Sequence, residues 1–441
     1  MTSKPLAAVV LAGGLGTRMR SATPKHFHTL LGRRMVDWVL EAARALDPNP
    51  LVVVASPESR EAFEGVDVAV QAEPRGTGDA LGAARETLEG FEGDVLVLSG
   101  DVPLLTRELL GRLLETHRRE RAAATVLSFE PDEPRDYGRV VRDHQGAVRE
   151  IVEASDASDE QLQIREVNSA IYVFDSDPLW PALDKLDTDN RQGELYLTDA
   201  VRHLVAGGAP VAAHVANPAR DVEGVNTRVD LAEAAAALRD RLNEGHMLAG
   251  VTIVDPVTTW IDAEVELKPD SVVHPFTVLR GRTRVASGAE VGPHVVAVDA
   301  DIGPEATVGP FCYLRPGTVL EARAKAGTFV EIKNSHIGEG AKVPHLSYIG
   351  DADVGEGSNI GAGAITANYR PETGGGKQRT TIGRNVHTGS DNVFLAPVTL
   401  GDNAWVAAGS VVTEDVPPGA LAISRGRQVN KEGYDDRKRH D

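Results

Sequence analysis

Four short segments in the first half of the chain hold glycines, cations and oxygen donors in patterns that suit phosphate chemistry. Leu11-Ala12-Gly13-Gly14-Leu15-Gly16-Thr17-Arg18-Met19 runs on to Pro24-Lys25. Its glycines let backbone N–H groups approach a phosphate chain, and Arg18 and Lys25 add positive charge. Met19 stands where a third glycine would complete a dinucleotide fingerprint, which argues against a nicotinamide site. No Gly-Lys-Ser/Thr closes a P-loop either. A second glycine loop, Gln71-Ala72-Glu73-Pro74-Arg75-Gly76-Thr77-Gly78, offers the Gln71 amide to the edge of a base. Ser99-Gly100-Asp101-Val102-Pro103 puts a carboxylate at the end of an apolar run, where ligands gather in open α/β sheets. Asp221-Val222-Glu223-Gly224-Val225-Asn226 brings a further oxygen donor. Mg2+ accepts one or two protein oxygens and takes the rest of its shell from water and phosphate. Asp101 alone reads equally well as a turn or helix cap.

A second polar set falls in the last third. Leu314-Arg315-Pro316-Gly317, Phe329-Val330-Glu331-Ile332-Lys333, His345-Leu346-Ser347-Tyr348, Asn359-Ile360-Gly361-Ala362-Gly363 and Ala367-Asn368-Tyr369 crowd into residues 314–369. Arg315 and Lys333 suit a sugar phosphate. His345 has a side chain that takes a proton near neutral pH, although a lone histidine is more often structural.

The elements that carry the first set alternate. Residues 6–11, 51–54 and 95–98 are continuous apolar runs, as expected for strands buried on both faces. Met35, Val36, Val39, Leu40, Ala43 and Leu46 form one helical stripe between the first two runs, and 106–117 repeats the pattern after the third. Val140-Val141, His144-Gln145-Gly146 and 148–152 read as an inserted hairpin. The first domain, 1–228, is therefore α/β with a mainly parallel, Rossmann-like sheet.

From 229 to 249 Leu231, Ala235, Leu238 and Leu242 mark one amphipathic helix, with Gly245 expected to end it. It reads as a linker arm without a partner nearby in sequence. Beyond Gly250, through 441, aliphatic residues recur every six positions. Ile302, Val308, Leu314, Leu320, Ala326 and Ile332 form one series; Ile382, Phe394, Leu400, Val406 and Val412 form another, with Thr388 in the missing place. Glycine often follows the aliphatic residue, as in Ile302-Gly303 and Ile360-Gly361, where it is expected to tolerate the backbone geometry of a corner. Three six-residue sides close one triangular coil, so the stretch makes about nine coils. A left-handed parallel β-helix of hexapeptide repeats is the natural match.

The 441 residues suit two or three domains. An apolar share of 41% and a charged share of 25% are those of a globular chain. With 46 basic and 65 acidic side chains the net charge is −19, which disfavours nucleic acid and anionic lipid as partners. No apolar run reaches the ~18 residues of a membrane span, and the start leads into no signal segment, so a soluble cytoplasmic protein is expected. The single Cys312 excludes an internal disulfide and cysteine-rich metal sites.

Taken in order, Leu-Ala-Gly-Gly-Leu-Gly-Thr-Arg-Met…Pro-Lys, Gln-Ala-Glu…Gly-Thr-Gly, Gly-Asp-Val-Pro, Tyr137-Gly138-Arg139, Ile151-Val152-Glu153 and Val-Glu-Gly-Val-Asn resemble the sugar-phosphate nucleotidyltransferases. With the helical arm and the β-helix included, the chain most resembles the bifunctional N-acetylglucosamine-1-phosphate uridyltransferase/glucosamine-1-phosphate acetyltransferase family. That resemblance implies two reactions. Acetyl passes from acetyl-CoA to glucosamine 1-phosphate, and uridylyl passes from UTP to N-acetylglucosamine 1-phosphate with release of pyrophosphate. It implies Mg2+ on Asp101 and Asn226, and Arg18 and Lys25 on the phosphates as catalytic groups. Leu11, Ala12, Gly13, Gly14, Gln71, Gly76 and Thr77 would bind the nucleotide, in a site that includes Ser99 and Gly100. Gly138, Glu153 and Asn168 would contact the sugar.

In the second half the same resemblance makes His345 the base. Arg315 and Lys333 would hold the sugar phosphate, and Tyr348, Asn359, Asn368 and Tyr369 would position the sugar, the last two also assigned to acetyl-CoA. Ala362, Ser390, Ala408 and Arg425 would line the acetyl-CoA groove. Proteins of this kind associate as homotrimers through the β-helix. The alternative is a nucleotidyltransferase whose β-helix is a scaffold or acetylates another amino sugar. The chain departs from the family pattern in places. Asn168-Ser169-Ala170 replaces Asn-Thr-Gly, and the Ala170 methyl would crowd the sugar pocket. His26-Phe27 is unusual; with no third ligand evident, His26 and His28 read as surface histidines. The 370–376 loop is long and glycine-rich, and the tail is basic, with Arg425 and Arg427 suited to CoA phosphates.

Overall fold

The computed structural model describes residues 4–14, 16–369 and 376–434, so Leu15, most of the 370–376 loop and the last basic residues lie outside it. The chain divides into two compact units, Met1–Leu238 and Arg239–Asp441.

The first unit is built on a sheet whose strands are β1 (Leu6–Ala12), β2 (Leu51–Ala55), β3 (Asp67–Val70), β4 (Asp94–Ser99), β5 (Ala124–Phe129), β6 (Arg139–Arg142), β7 (Val148–Val152), β8 (Val167–Asp175) and β9 (Val211–Val215). Their order is β9-β5-β8-β4-β1-β2-β3, with the β6–β7 hairpin attached to β8. β1 is central and parallel to both β2 and β4. β8 runs antiparallel between β4 and β5. The continuous apolar runs are explained by the two cores. Ala8, Val10, Val53, Leu96 and Leu98 pack with α1 (Met35–Arg44) on one face. Ala7, Val9, Val52, Val95 and Val97 pack on the other with α2 (Thr77–Ala83). Helices α3 (Arg107–Glu120), α4 (Ser176–Leu183) and α5 (Leu197–Ala206) complete the two layers. Each valine or leucine side chain fully buried there contributes about 1.5–3 kcal/mol.

α6 spans Arg228–Leu248 and continues through Gly245, so that glycine does not end it. A glycine costs a helix interior only about 1 kcal/mol relative to alanine. Nor is the helix unpartnered: Asn243 Nδ2 donates to the carbonyls of Pro256 (2.9 Å) and Thr259 (3.0 Å). The Arg239 guanidinium lies 5.0 Å from the centre of the Trp260 ring.

The second unit is a left-handed parallel β-helix of two- to four-residue strands in three sheets, the longest path holding nine. Ile302 aligns with Leu320, Val308 with Ala326, and Leu314 with Ile332, one pair on each face. All six point inward and are at most 3% exposed. Thr388 takes its inward place by accepting a hydrogen bond from the Gly361 amide at 2.8 Å. Most glycines that follow an inward aliphatic residue act by lack of volume, whereas Gly292 and Gly309, with φ of +109° and +110°, also use the backbone freedom expected of them. A Cβ on Gly303 would meet the Leu320 carbonyl oxygen at 2.6 Å, and its φ is ordinary. Left-handed positions are shared between glycines such as Gly317 and Gly363 and one column of bulky residues. Phe276, His294, Phe311 and Phe329 have φ of 54–60° and stack in a ladder, with ring centres 4.7, 4.7 and 5.2 Å apart.

Candidate active sites

In the first unit the C-terminal ends of β1 and β4 open into a cleft of about 610 Å³. Its floor is a cation gripped by oxygens. Lys25 Nζ donates to Asp101 Oδ2 and to Asn226 Oδ1, the latter at 2.7 Å. Arg18 donates to the same Asn226 oxygen at 3.0 Å, and Ser99 Oγ to Asp101 Oδ1 at 2.6 Å. Three sequence-distant segments are held together locally. The Gly100 amide donates to the Leu11 carbonyl (2.9 Å) and the Val225 amide to the Asp101 carbonyl (2.9 Å). Gly16 has φ +59°, and a Cβ there would strike the Lys25 side chain, so a glycine is needed for Lys25 to reach the floor. Burial by itself would raise the Asp101 carboxyl. Lys25, His26 and the Ser99 hydroxyl outweigh it and bring the carboxyl down to about 2.

That arrangement tests the metal reading. Asp101 and Asn226 present two hard oxygens converging on one positive charge, here an ammonium. Such a donor pair fits a Mg2+ ion that completes its shell with phosphate and water.

At one end of the cleft, Gln71 Nε2 donates to Asp79 Oδ2 (2.9 Å) and to the Gly76 carbonyl (3.1 Å). Thr77 Oγ1 accepts from the Leu197 amide at the start of α5 (3.0 Å). At the other end Gly138, Glu153, Asn168 and Ala170 line the wall. Burial raises the Glu153 carboxyl, against the Thr198 hydroxyl that donates to it at 3.1 Å. β8 is bulged between Asn168 and Ile171, and Ala170 sits in the bulge with φ +60°. The bulge turns Asn168 so that its Nδ2 donates to the Tyr172 hydroxyl (2.7 Å) and its Oδ1 accepts from the Ala170 amide (3.1 Å).

In the β-helix, His345, Ala362, Ser390 and Ala408 occupy successive rungs of one corner. The carbonyl of His345 accepts from the Gly363 amide (3.3 Å), that of Ala362 from Asp391 (2.7 Å) and that of Ser390 from Gly409 (2.8 Å). The Ala408 carbonyl accepts instead from the Arg425 guanidinium (3.0 Å), which closes the column. The His345 imidazole is exposed. Across the strand that carries Tyr348, the next corner gathers charge. Arg315 pairs with Glu331 at 2.9 Å, and the Lys333 ammonium beside Lys377 pushes Lys377 down. Buried Asp351 accepts from Asn334 (2.6 Å) and from Asn368. Asn359 lies in register below His387, and Tyr369 is exposed and bridges Lys377.

A family model for the MobA-like NTP transferase domain matches residues 8–201. Over nearly the full length the chain is 51% identical to the bifunctional protein GlmU of Streptomyces avermitilis, with 99% of this chain and 95% of that one covered. The chain belongs to the GlmU family. The GlmU of Streptomyces coelicolor is likewise 51% identical, over 99% and 95% of the two chains. That of Corynebacterium efficiens is 48% identical, over 98% and 94%. As a GlmU-family member the chain is a two-activity enzyme, a nucleotidyltransferase joined to an acetyltransferase.

Within this GlmU-family chain the cleft brings together Leu11, Gly13, Gly14, Arg18, Lys25, Gln71, Gly76, Thr77, Ser99, Asp101, Gly138, Glu153, Asn168 and Asn226. Ala12 and Gly100 stand behind that lining, Ala12 buried in the core and Gly100 against the Leu11 carbonyl. One reading is corrected. His26 and His28 are 6% and 8% exposed and are not surface histidines; His26 forms part of the cleft wall. Sequence reasoning assigned no role to Tyr137, whose hydroxyl accepts from the Gly224 amide at 3.0 Å and is pushed by burial up to about 12. It gave no role to Thr198, Asp351 or Lys377 either. Only Lys377 left a signal, as the first cation after the glycine loop. Asp351 is recognisable only once neighbouring rungs lie side by side.

Proposed function

We infer that the chain makes UDP-N-acetylglucosamine by two transfers, with the residues above in the roles that follow. In the cleft, a phosphate oxygen of N-acetylglucosamine 1-phosphate bonds to the α-phosphorus of UTP while the bond to the departing pyrophosphate breaks. The attacking oxygen is already anionic, so the protein's task is positioning and charge neutralisation. Arg18 and Lys25 supply the charge, the two glycine loops and Gln71 hold the nucleotide, and Glu153, Asn168 and Gly138 orient the sugar. Asp101 and Asn226 would hold Mg2+, which supplies further neutralisation of the triphosphate when bound.

On the β-helix, the amine of glucosamine 1-phosphate attacks the thioester carbon of acetyl-CoA and the carbon–sulfur bond breaks. His345 takes the amine proton and passes it to the departing thiolate. Arg315, Lys333 and Lys377 bind the sugar phosphate, and Tyr348, Asn359, Asn368 and Tyr369 surround the sugar. The small residues Ala362, Ser390 and Ala408 leave room for the pantetheine arm, with Arg425 at its phosphate end. The exposed ladder from Phe276 to Phe329, continued by exposed Leu346, is an apolar edge that calls for a cover. A homotrimer of β-helices supplies that cover and a second wall for the open His345 corner. Among the described residues no helix is long and apolar enough to cross a membrane, and the substrates are those of a cytoplasmic enzyme.

The observation that carries the reading is Lys25, Asp101 and Asn226 meeting at the end of the central strands. The test follows thiol and pyrophosphate separately with glucosamine 1-phosphate, acetyl-CoA, UTP and Mg2+. Asp101→Ala should lose roughly a hundredfold or more of pyrophosphate release and keep thiol release. His345→Ala should do the reverse, by about 10²–10⁴-fold. A wild type that releases pyrophosphate but never thiol sinks the acetyl-CoA half.

A further inference from the structure

Trp405 is a large side chain, 55% exposed, on a β-helix face that needs no bulk for its own packing. It pairs in register with His387 on the rung below. The two rings lie 4.5 Å apart between centres, tilted by 30°. Leu421 follows on the rung above. Each ring stands three residues before a small member of the corner column, His387 before Ser390 and Trp405 before Ala408. The pair therefore flanks the end of the column remote from His345. Three rungs of about 4.8 Å put roughly 14 Å between His345 and Ala408. At that same remote end the Arg425 guanidinium is moored to the Ala408 carbonyl and remains exposed. A cation moored at Ala408 and an exposed aromatic ring three residues before it are the two elements that recognise a purine nucleotide.

We propose that Trp405, backed by His387, is the stacking platform for the purine ring of the acyl donor. The proposal rests on the reading that the β-helix uses acetyl-CoA. With the thioester at His345 and the arm along Ala362, Ser390 and Ala408, the phosphates reach Arg425 and the base reaches the Trp405 ring. The platform is a binding element only, and the proton and acyl transfers are unchanged by it.

The test compares two donors on the full-length protein. One is acetyl-CoA; the other is S-acetyl-4′-phosphopantetheine, which keeps the thioester and arm and lacks the adenine nucleotide. Trp405→Ala should raise KM for acetyl-CoA about tenfold with kcat held. Trp405→Phe should restore most of it, and His387→Ala should show a smaller rise. None of the three should change KM for the short donor, and uridylyl transfer should be unaltered, which reports intact folding. An equal rise for both donors means that Trp405 supports the fold or the assembly and overturns the proposal, as does no rise for either. A wild type that releases no thiol from acetyl-CoA overturns the acetyl-CoA reading itself, and the platform with it.

Discussion

Two ion pairs, one in each unit, show how differently the halves of the chain hold their charges. Lys25 and Asp101 meet on the floor of the cleft, both side chains less than a fifth exposed, with Ser99 and Asn226 satisfying the remaining atoms. Arg315 and Glu331 meet on an open corner, each more than a third exposed. A buried pair is held in place by everything around it, whereas a surface pair is screened and adjustable. The cleft is thus prearranged for its reaction before substrate arrives. The β-helix offers groups on a regular lattice, and His345 waits there in solvent.

Breaking each pair is the sharpest comparison. Lys25→Met leaves Asp101 as a buried, unpaired charge and should cost about 3–5 kcal/mol in denaturant unfolding. Arg315→Met should cost less than about 1 kcal/mol, although both variants lose turnover in their own half-reaction. Equal losses of stability would erase the distinction drawn here.

Core truncation gives the next largest effect. Ile332 is fully buried and in register with Leu314 and Ile349 on adjoining rungs. Ile332→Ala should cost about 2–5 kcal/mol. Because the two units have separate cores, mild heating should abolish thiol release in this variant before pyrophosphate release. Simultaneous loss of both would show that the units unfold together.

Ala170 offers a smaller test in the opposite direction. An alanine at φ +60° is strained where glycine is not. Ala170→Gly should raise stability by about 1 kcal/mol, seen as a gain of roughly 2–4 °C in the melting of the first unit. It should also lower KM for the sugar phosphate, because the methyl leaves the cleft wall.

The pH dependence is the finest comparison, because two carboxyls of one cleft act with opposite sign. Asp101 lies at about 2 in the folded chain against an ordinary 3.8. Its stabilisation is complete above 3.8 and is lost as pH falls through about 2. Glu153 is raised above its ordinary 4.5 by burial. Ionising it in the folded chain is therefore costly, and its share of stability falls as pH rises past 4.5. Glu153→Gln should raise the melting temperature at pH 7 and leave it unchanged near pH 4, while weakening sugar binding. A loss of stability at pH 7 would contradict that sign.

How far each half could be read follows from the same contrast. In a β-helix the six-residue step converts sequence position directly into place, so Ile302 to Ile332 were assignable to the interior from spacing alone. The glycine loops and Gly100-Asp101 were legible because phosphate and metal chemistry constrains residue type locally. What spacing misplaced were features decided by neighbours distant in sequence. Gly245 stays helical because α6 packs at Asn243 and Arg239 onto residues 256–260. His26 is buried because the turns at Gly14 and Gly100 lie against its ring.

Local order thus settled the strands, the repeat, the two-part plan and the chemical type of most site residues, since periodicity and turn chemistry act over a few positions. The folded chain alone decided that Lys25 and Asn226, 201 positions apart, share one proton-donating contact. It alone decided that Gly303 is needed for space, that Asp351 collects Asn334 and Asn368, and that His387 lies against Trp405. Those contacts depend on which backbones become neighbours, and burial and hydrogen bonding between them are properties of the assembled layers that no single segment contains.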